Sequence, residues 1–188
     1  MCIRDRLSTD YSFDGTAPEP YTESSPVSPL GAYGRSKRAG EVAVAEAADD
    51  FAIVRSAWLF GPHGKNFVDT MLRLGAERDE VAVVDDQVGC PTYTGHLAPA
   101  LVEIAERRLT GVLHVAGAGS CSWYDLAVAT FERTGTKCTV RRQSSAQLGR
   151  PAPRPAFSVL ETEREDTPRL PPWQEGLGAH LAARRAIA

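Results

Sequence analysis

The sequence predicts an α/β fold built on a parallel sheet. Short apolar runs rich in β-branched residues recur at residues 51–60, 81–84 and 112–115, the pattern of strands buried on both faces. Stretches of helical period alternate with them, at residues 29–48, 66–77, 95–108 and 122–133. Each strand therefore reaches the next through a crossover, as parallel pairing requires.

Taken in order, residues 7–13 begin as the end of a strand and pass into a polar loop. Residues 14–28, DGTAPEPYTESSPVS, carry no apolar period and read as a long loop. Ser28 and Pro29 offer an N-cap followed by proline at the first helical position, so a helix is expected over 29–48. FAIVRSAWLF, residues 51–60, reads as one buried strand stopped by Gly61-Pro62. Phe67, Met71, Leu72 and Leu74 give the next helix its apolar side, and 81–84 is a short strand. DDQVGCPTYTG, residues 85–95, is a loop, and Leu97, Leu101, Ile104 and Ala105 share one face of the helix after it. Ser122 and Asp125 match a capping box, opening a helix to about residue 133. Residues 138–142 form a strand, RPAPRP at 150–155 excludes regular structure, and 172–186 form a closing helix. No internal repeat is present.

A chain of 188 residues suffices for one domain with a real core. With 43% hydrophobic and 24% charged residues it has the composition of an ordinary globular protein. The net charge of −3 and the lack of any Lys/Arg block argue against nucleic acid or an anionic membrane as partner. No apolar run approaches the roughly 20 residues of a membrane span. Cys2, Cys90, Cys121 and Cys138 form no CxxC pair and read as thiols in a reducing, cytoplasmic compartment. His63, His96, His114 and His180 show no metal-binding spacing.

Chemistry collects at the carboxyl ends of the strands in such folds, which singles out the loops at 8–28, 60–66 and 85–95. AYGRSKRAGE, residues 32–41, places Tyr33 and Lys37 four apart on one helix face. An ammonium beside a phenol favours the phenolate, and a phenol so tuned can give a proton to a carbonyl oxygen as hydride arrives. A solvated helix face would show the same spacing. Ser8 and Thr9 add hydroxyls at a strand end upstream.

A strand-end hydroxyl followed by a helix bearing Tyr-x-x-x-Lys resembles the extended, sugar-nucleotide branch of the short-chain dehydrogenase/reductases. STDYSFDG, APEPYTESSPVSPLGAYGRSK, RSAWLFGPHGKNFVDTML, DDQVGCPT, GVLHVAG, SWYDLA and RPAPRPAFSVL occur in that order over residues 8 to about 160, and together resemble the dTDP-4-dehydrorhamnose reductase family. That resemblance implies a partial Rossmann-like, doubly wound parallel sheet with a small C-terminal substrate-binding region, mainly 61–110 and 138–188. It implies reduction of the 4-keto group of dTDP-6-deoxy-L-lyxo-4-hexulose to dTDP-L-rhamnose. NADPH is the implied cofactor, with NADH also used in the family, Mg2+ bound by some members, and a homodimer at full length. Sugar-nucleotide dehydratases of the same branch usually carry Thr-Asp-Glu at this strand end. Here Thr9-Asp10-Tyr11 lacks the second acid, which suits reduction rather than elimination.

By motif position the resemblance makes Thr9, Tyr33 and Lys37 the catalytic set, with Tyr33 and Lys37 also meeting the cofactor. Asp10 and Tyr11 would shape the sugar site. Trp58 either walls the hexulose ring or packs in the core. Asn66 either bonds substrate or caps a helix. Gln87, Gly89, Pro91 and Thr92 match the substrate-loop block. Arg150 and Arg154 suit a nucleotide diphosphate, since a guanidinium fork fits phosphate oxygens; unliganded surface arginines are the alternative. The resemblance leaves two alternatives for this chain: a non-catalytic regulatory subunit of the methionine adenosyltransferase type, or a reductase or epimerase of another nucleotide sugar.

The family's GxxGxxG phosphate loop does not occur here: GAYG lies inside the Tyr33 helix, and GAGS at 117–120 lies far past it. The first six residues, MCIRDR, resemble the translated end of a sequencing adaptor. They are expected to be a non-native scar on a reading frame that starts in mid-fold, with residues 7–188 the C-terminal part of one reductase domain. Such a fragment is expected to bind NADPH poorly or not at all, for want of a helix N-terminus at the pyrophosphate, and to be inactive by itself.

Overall fold

A computed structural model describes residues 4–187 of the chain. Its centre is a three-stranded parallel sheet of β1 (Arg4–Thr9), β2 (Phe51–Ser56) and β7 (Gly111–His114), in the order β1-β2-β7. Thr9 stands opposite Ser56, and Arg55 opposite His114. Residues 4–6 of the expected scar pair in register with 51–53, while residues 1–3, and Cys2 with them, lie outside the described residues.

Side chains alternate along β2, so its two faces meet different layers. Ala52 and Val54 pack with Leu97, Ala100 and Ile104 of α3 (Thr94–Glu106). Arg55 points the other way, to Glu41 of α1 (Ala32–Ala47). Helices thus cover both faces of a parallel sheet, the Rossmann-like α/β arrangement the sequence predicts.

Smaller ladders surround this centre. β3 (Leu59–Phe60) pairs with β6 (Thr92–Tyr93), and β4 (Glu80–Val84) with β9 (Thr139–Gln143), both parallel. β5 (Val88–Gly89) pairs antiparallel with β8 (Cys121–Ser122). The β4–β9 ladder, α2 (Phe67–Glu77) and α4 (Trp123–Thr134) enclose a core of Met71, Val81, Val83, Ala127 and Phe131. α6 (Trp173–Ile187) adds Trp173, Leu177 and Leu181 to a core with Phe60 and Val68.

Several expected boundaries move, each for a tertiary reason. The first helix starts at Ala32 with Gly31 as N-cap, not at Ser28-Pro29. Ser28 is held in the preceding loop, its N–H donating to the Ser12 carbonyl at 3.0 Å. The run 51–60 is not one strand, because Trp58 takes φ +45° and breaks it into β2 and β3. The 85–95 loop contributes β5, β6 and the start of α3, and α5 (Ser145–Leu148) precedes Arg150. The Ser122–Asp125 capping box forms in both directions, and Gly135 closes α4 with φ +67°. Among the described residues no helix is long and apolar enough to cross a membrane.

Candidate active site

Thr9 ends β1 and caps a single 3-10 turn, Asp10–Ser12, where its Oγ1 accepts the Tyr11 N–H at 3.3 Å. Its hydroxyl donates to Asp10 Oδ1 at 3.1 Å. Asp10 is buried, and its Oδ2 accepts the Ser158 hydroxyl at 2.6 Å. Burial pushes its carboxyl up to about 6, against the pull of the Ser158 and Thr9 hydrogen bonds.

The Tyr33 helix docks directly on this turn. A Cβ at Gly34 would lie 2.2 Å from the Tyr11 carbonyl oxygen, so only glycine lets the two backbones approach so closely. Tyr33 thereby meets Tyr11 edge to face, with ring centroids 6.0 Å apart, and remains 56% exposed. One turn on, Lys37 is half-buried and donates from Nζ to the Leu7 carbonyl at 2.7 Å. Burial and the neighbouring Arg6 cation lower its pKa, against the pull of Glu41. An ammonium has three donors, so two remain for other partners.

One turn beyond Lys37 lies a group the sequence did not single out. Glu41, fully buried, accepts from Ser8 Oγ at 2.5 Å and from Arg55 Nε and Nη2 at 2.9 and 2.8 Å. Burial alone would raise its pKa, but the Arg55 and Ser8 bonds overcome it and hold Glu41 at about 2. Its spacing of four from Lys37, and an arginine within an apolar strand, were the available signals.

On the other side of the strand ends, Trp58 stacks on Trp123, with centroids 3.5 Å apart and planes 4° from parallel. Asn66 caps α2: Oδ1 accepts the Asp69 N–H at 2.9 Å, and Nδ2 donates to the Gly61 carbonyl and to Asp69 Oδ2. Gln87 is buried between Ser145, to which it donates at 2.7 Å, and Trp123 Nε1, from which it accepts at 3.2 Å. Thr92, also buried, bonds the Cys90 carbonyl and the Gly117 N–H, tying β6 to the loop after β7. These polar groups are used internally. Cys90, Cys121 and Cys138 are free, buried thiols.

Arg150 and Arg154 lie on an irregular arm that returns to the first turn. A Cβ at Gly31 would sit 3.4 Å from the Pro153 carbonyl, and one at Gly15 2.6 Å from Pro155 Cβ. Ser158 N–H donates to the Val88 carbonyl at 2.8 Å, which threads the arm past β5 toward Asp10. Burial and Asp10 raise the pKa of Tyr11, while Arg154 and Arg150 draw it down, so the arm's charge reaches the first turn. Both arginines line a cavity of about 460 Å³ with Phe67, Met71, Val83, Gln87 and Trp123. Among the described residues neither is in an ion pair.

The family model for the RmlD substrate binding domain matches residues 6–186. The chain belongs to this family. Within it, the chain is 39% identical over 180 residues to a spore coat polysaccharide biosynthesis protein of Bacillus subtilis, covering 95% of this chain and 63% of that protein. It is 48% identical over 156 residues to dTDP-4-keto-6-deoxy-D-glucose reductase of Streptomyces niveus, covering 82% and 54%. It is 43% identical over 183 residues to dTDP-4-dehydrorhamnose reductase of Sinorhizobium fredii, covering 90% and 62%. The chain therefore spans less than two thirds of these relatives. The crystal structure of dTDP-4-dehydrorhamnose reductase from Bacillus anthracis, in complex with NADP, superposes with a TM-score of 0.92 at 39% identity, covering 95% of this chain and 65% of that one. A dTDP-glucose 4,6-dehydratase from Bacillus anthracis shares the fold at 15% identity and a TM-score of 0.79, covering 97% and 61%. No group of three or more metal-ligating side chains occurs among the described residues of this family member, so the Mg2+ allowed by the resemblance finds no ligand set here.

Proposed function

We propose that the protein reduces the 4-keto group of dTDP-6-deoxy-L-lyxo-4-hexulose to dTDP-L-rhamnose, with NADPH as the reductant. The observation that carries this reading is the docking of Gly34 on the Tyr11 carbonyl. It brings the helix of Tyr33 and Lys37 onto the turn that Thr9 begins. The NADP complex of the Bacillus anthracis relative supports the choice of cofactor.

NADPH, when bound, supplies the hydride. Tyr33 and Lys37 fit the cofactor's ribose, because the phenol is open to solvent and the ammonium keeps two unused donors beyond its bond to Leu7. The Thr9 hydroxyl turns from Asp10 to donate to the sugar carbonyl, fixing its orientation. Tyr33 gives its phenolic proton to that oxygen as negative charge develops, and Lys37 stabilises the phenolate left behind. Arg150 and Arg154 grip the diphosphate, and Asp10 and Tyr11 border the sugar.

A second reading, a different dTDP-4-keto-6-deoxyhexose as substrate, is favoured by the 48% identity to the Streptomyces niveus reductase. Both are tested by NADPH consumption in the full-length protein that carries this chain, offered each sugar nucleotide in turn. Turnover of the L-lyxo hexulose, falling about 10²- to 10⁴-fold in Tyr33→Phe, supports the reading. Undiminished turnover in Tyr33→Phe overturns it.

A further inference from the structure

Trp58 holds a backbone conformation that a bulky residue keeps only when its surroundings enforce it. Its φ of +45° lies in the left-handed region. Three contacts enforce it. The Thr92 N–H donates to the Trp58 carbonyl at 3.2 Å. Gly89 comes so close that a Cβ there would lie 2.5 Å from Trp58 Cε2. Trp123 covers the indole with its own, 3.5 Å away and nearly parallel.

Trp123 is the first residue of α4, and its place there is fixed from within the helix. The Ser122–Asp125 capping box sets the start of the helix, and buried Leu126 and Ala127 anchor the next turn in the core. The Trp123 side chain itself is only half-buried. It lies between two cavities. One, of about 320 Å³, is lined by Trp58, Lys65 and Asn66; the other, of about 460 Å³, by Gln87, Arg150 and Arg154. Trp123, Phe67 and Thr70 line both.

The indole N–H of Trp123 extends the connection. It donates to Gln87 Oε1 at 3.2 Å, Gln87 Nε2 donates to Ser145 Oγ at 2.7 Å, and Ser145 Oγ donates to Asp86 Oδ1 at 2.7 Å. Ser145 opens α5, whose C-cap Gly149 is followed at once by Arg150. A single side chain thus joins the strained residue between β2 and β3 to the root of the arginine arm.

We propose that Trp123 is a positioning residue: it holds Trp58 as a wall of the sugar pocket and ties that wall, through Gln87 and Ser145, to the arm that carries Arg150 and Arg154. The assignment rests on the reading of the site given above. The stack fixes Trp58, and the N–H fixes the arm, so the two connections are separable. Trp123→Phe keeps an aromatic face but loses the N–H, and Trp123→Leu loses both. Gln87→Leu loses the N–H acceptor but keeps both indoles.

The test uses the full-length protein. Two stacked indoles give an exciton couplet in circular dichroism, expected in the wild type and in Gln87→Leu and absent from both Trp123 variants. KM for the sugar nucleotide is expected to rise about tenfold in Trp123→Leu and less in Trp123→Phe, with KM for NADPH unchanged. Affinity for thymidine diphosphate, measured by calorimetry, is expected to fall severalfold in Gln87→Leu and in Trp123→Phe. A wild type without the couplet, or Trp123 variants that leave both the sugar-nucleotide KM and the thymidine diphosphate affinity unchanged, would overturn the proposal. So would an equal rise in both KM values, which marks a general effect on the fold. If Trp123→Leu does not fold, Trp123→Phe carries the same comparison. If the wild type turns over no keto sugar but shows the couplet and the affinity losses, the proposed reaction fails and the positioning role stands.

Discussion

Glu41 and Arg55 meet as a two-point ion pair inside the protein, Nε to Oε1 at 2.9 Å and Nη2 to Oε2 at 2.8 Å. The same carboxylate holds Ser8, the residue before Thr9, and lies one helical turn from Lys37. One buried carboxylate therefore fixes α1 against β1 and β2.

Removing either partner leaves the other charged and buried. Glu41→Ala or Arg55→Met is expected to destabilise the fold by about 3–5 kcal/mol in urea melts. The folded-state pKa of Glu41, about 2, lies below its ordinary 4.5. Its contribution is therefore complete above pH 4.5 and is lost as pH falls toward 2, an acid-side loss on the order of 3 kcal/mol. That component is expected to vanish in Glu41→Gln.

Asp10 acts with the opposite sign. Its pKa of about 6 lies above its ordinary 3.8, so the folded state disfavours the ionised form. The stability it allows is complete below pH 3.8 and is lost as pH rises to about 6, on the order of 3 kcal/mol. Asp10→Asn is expected to gain stability over the wild type across that interval and to hold the gain at neutral pH, while losing activity. A stability difference from wild type that does not change with pH would refute the burial argument.

Gly34→Ala is expected to harm catalysis more than stability. The new methyl would lie 2.2 Å from a backbone oxygen, so the whole helix must shift. Such overpacking costs about 1–3 kcal/mol. Displacing Tyr33 by about 1 Å lowers turnover on the order of 10²-fold. Gly40→Ala is the control, because its nearest neighbours are the guanidinium atoms of Arg6, which can swing away. Its melting temperature is expected to equal or exceed that of the wild type.

Arg150→Ala and Arg154→Ala are expected to raise KM for the sugar nucleotide about tenfold each, without lowering the melting temperature. Neither residue makes an ion pair among the described residues, so either substitution breaks no salt bridge. Rising salt is expected to weaken the wild type toward the variants.

The features most legible in the sequence were those written locally. Ser122 and Asp125 sit three apart and form the capping box, and residues 150–155 form neither helix nor strand. Trp58 was not legible as a strand break, because no glycine or proline marks it and the distortion comes from Trp123, Gly89 and Thr92. The sequence alone allows Asn66 to be either a substrate ligand or a helix cap. The cap's bonds engage its carbonyl oxygen and both of its amide hydrogens. Ser158 lies in the RPAPRPAFSVL block, but nothing local to it signals its bond to Asp10, 148 residues away.

That separation also bears on how the protein is made. Asp10 emerges from the ribosome long before Ser158, at synthesis rates of about 5–20 residues per second. Until the arm arrives, Asp10 lacks one of its two hydroxyl donors and the first turn stands open beside β5. Closing so long a loop makes the pocket a late, non-local event in folding. A nascent chain stalled after β7 would carry Thr9, Tyr33 and Lys37 without the arm of Arg150, Arg154 and Ser158. The first turn and the arm that covers it are thus made at different times on one polypeptide.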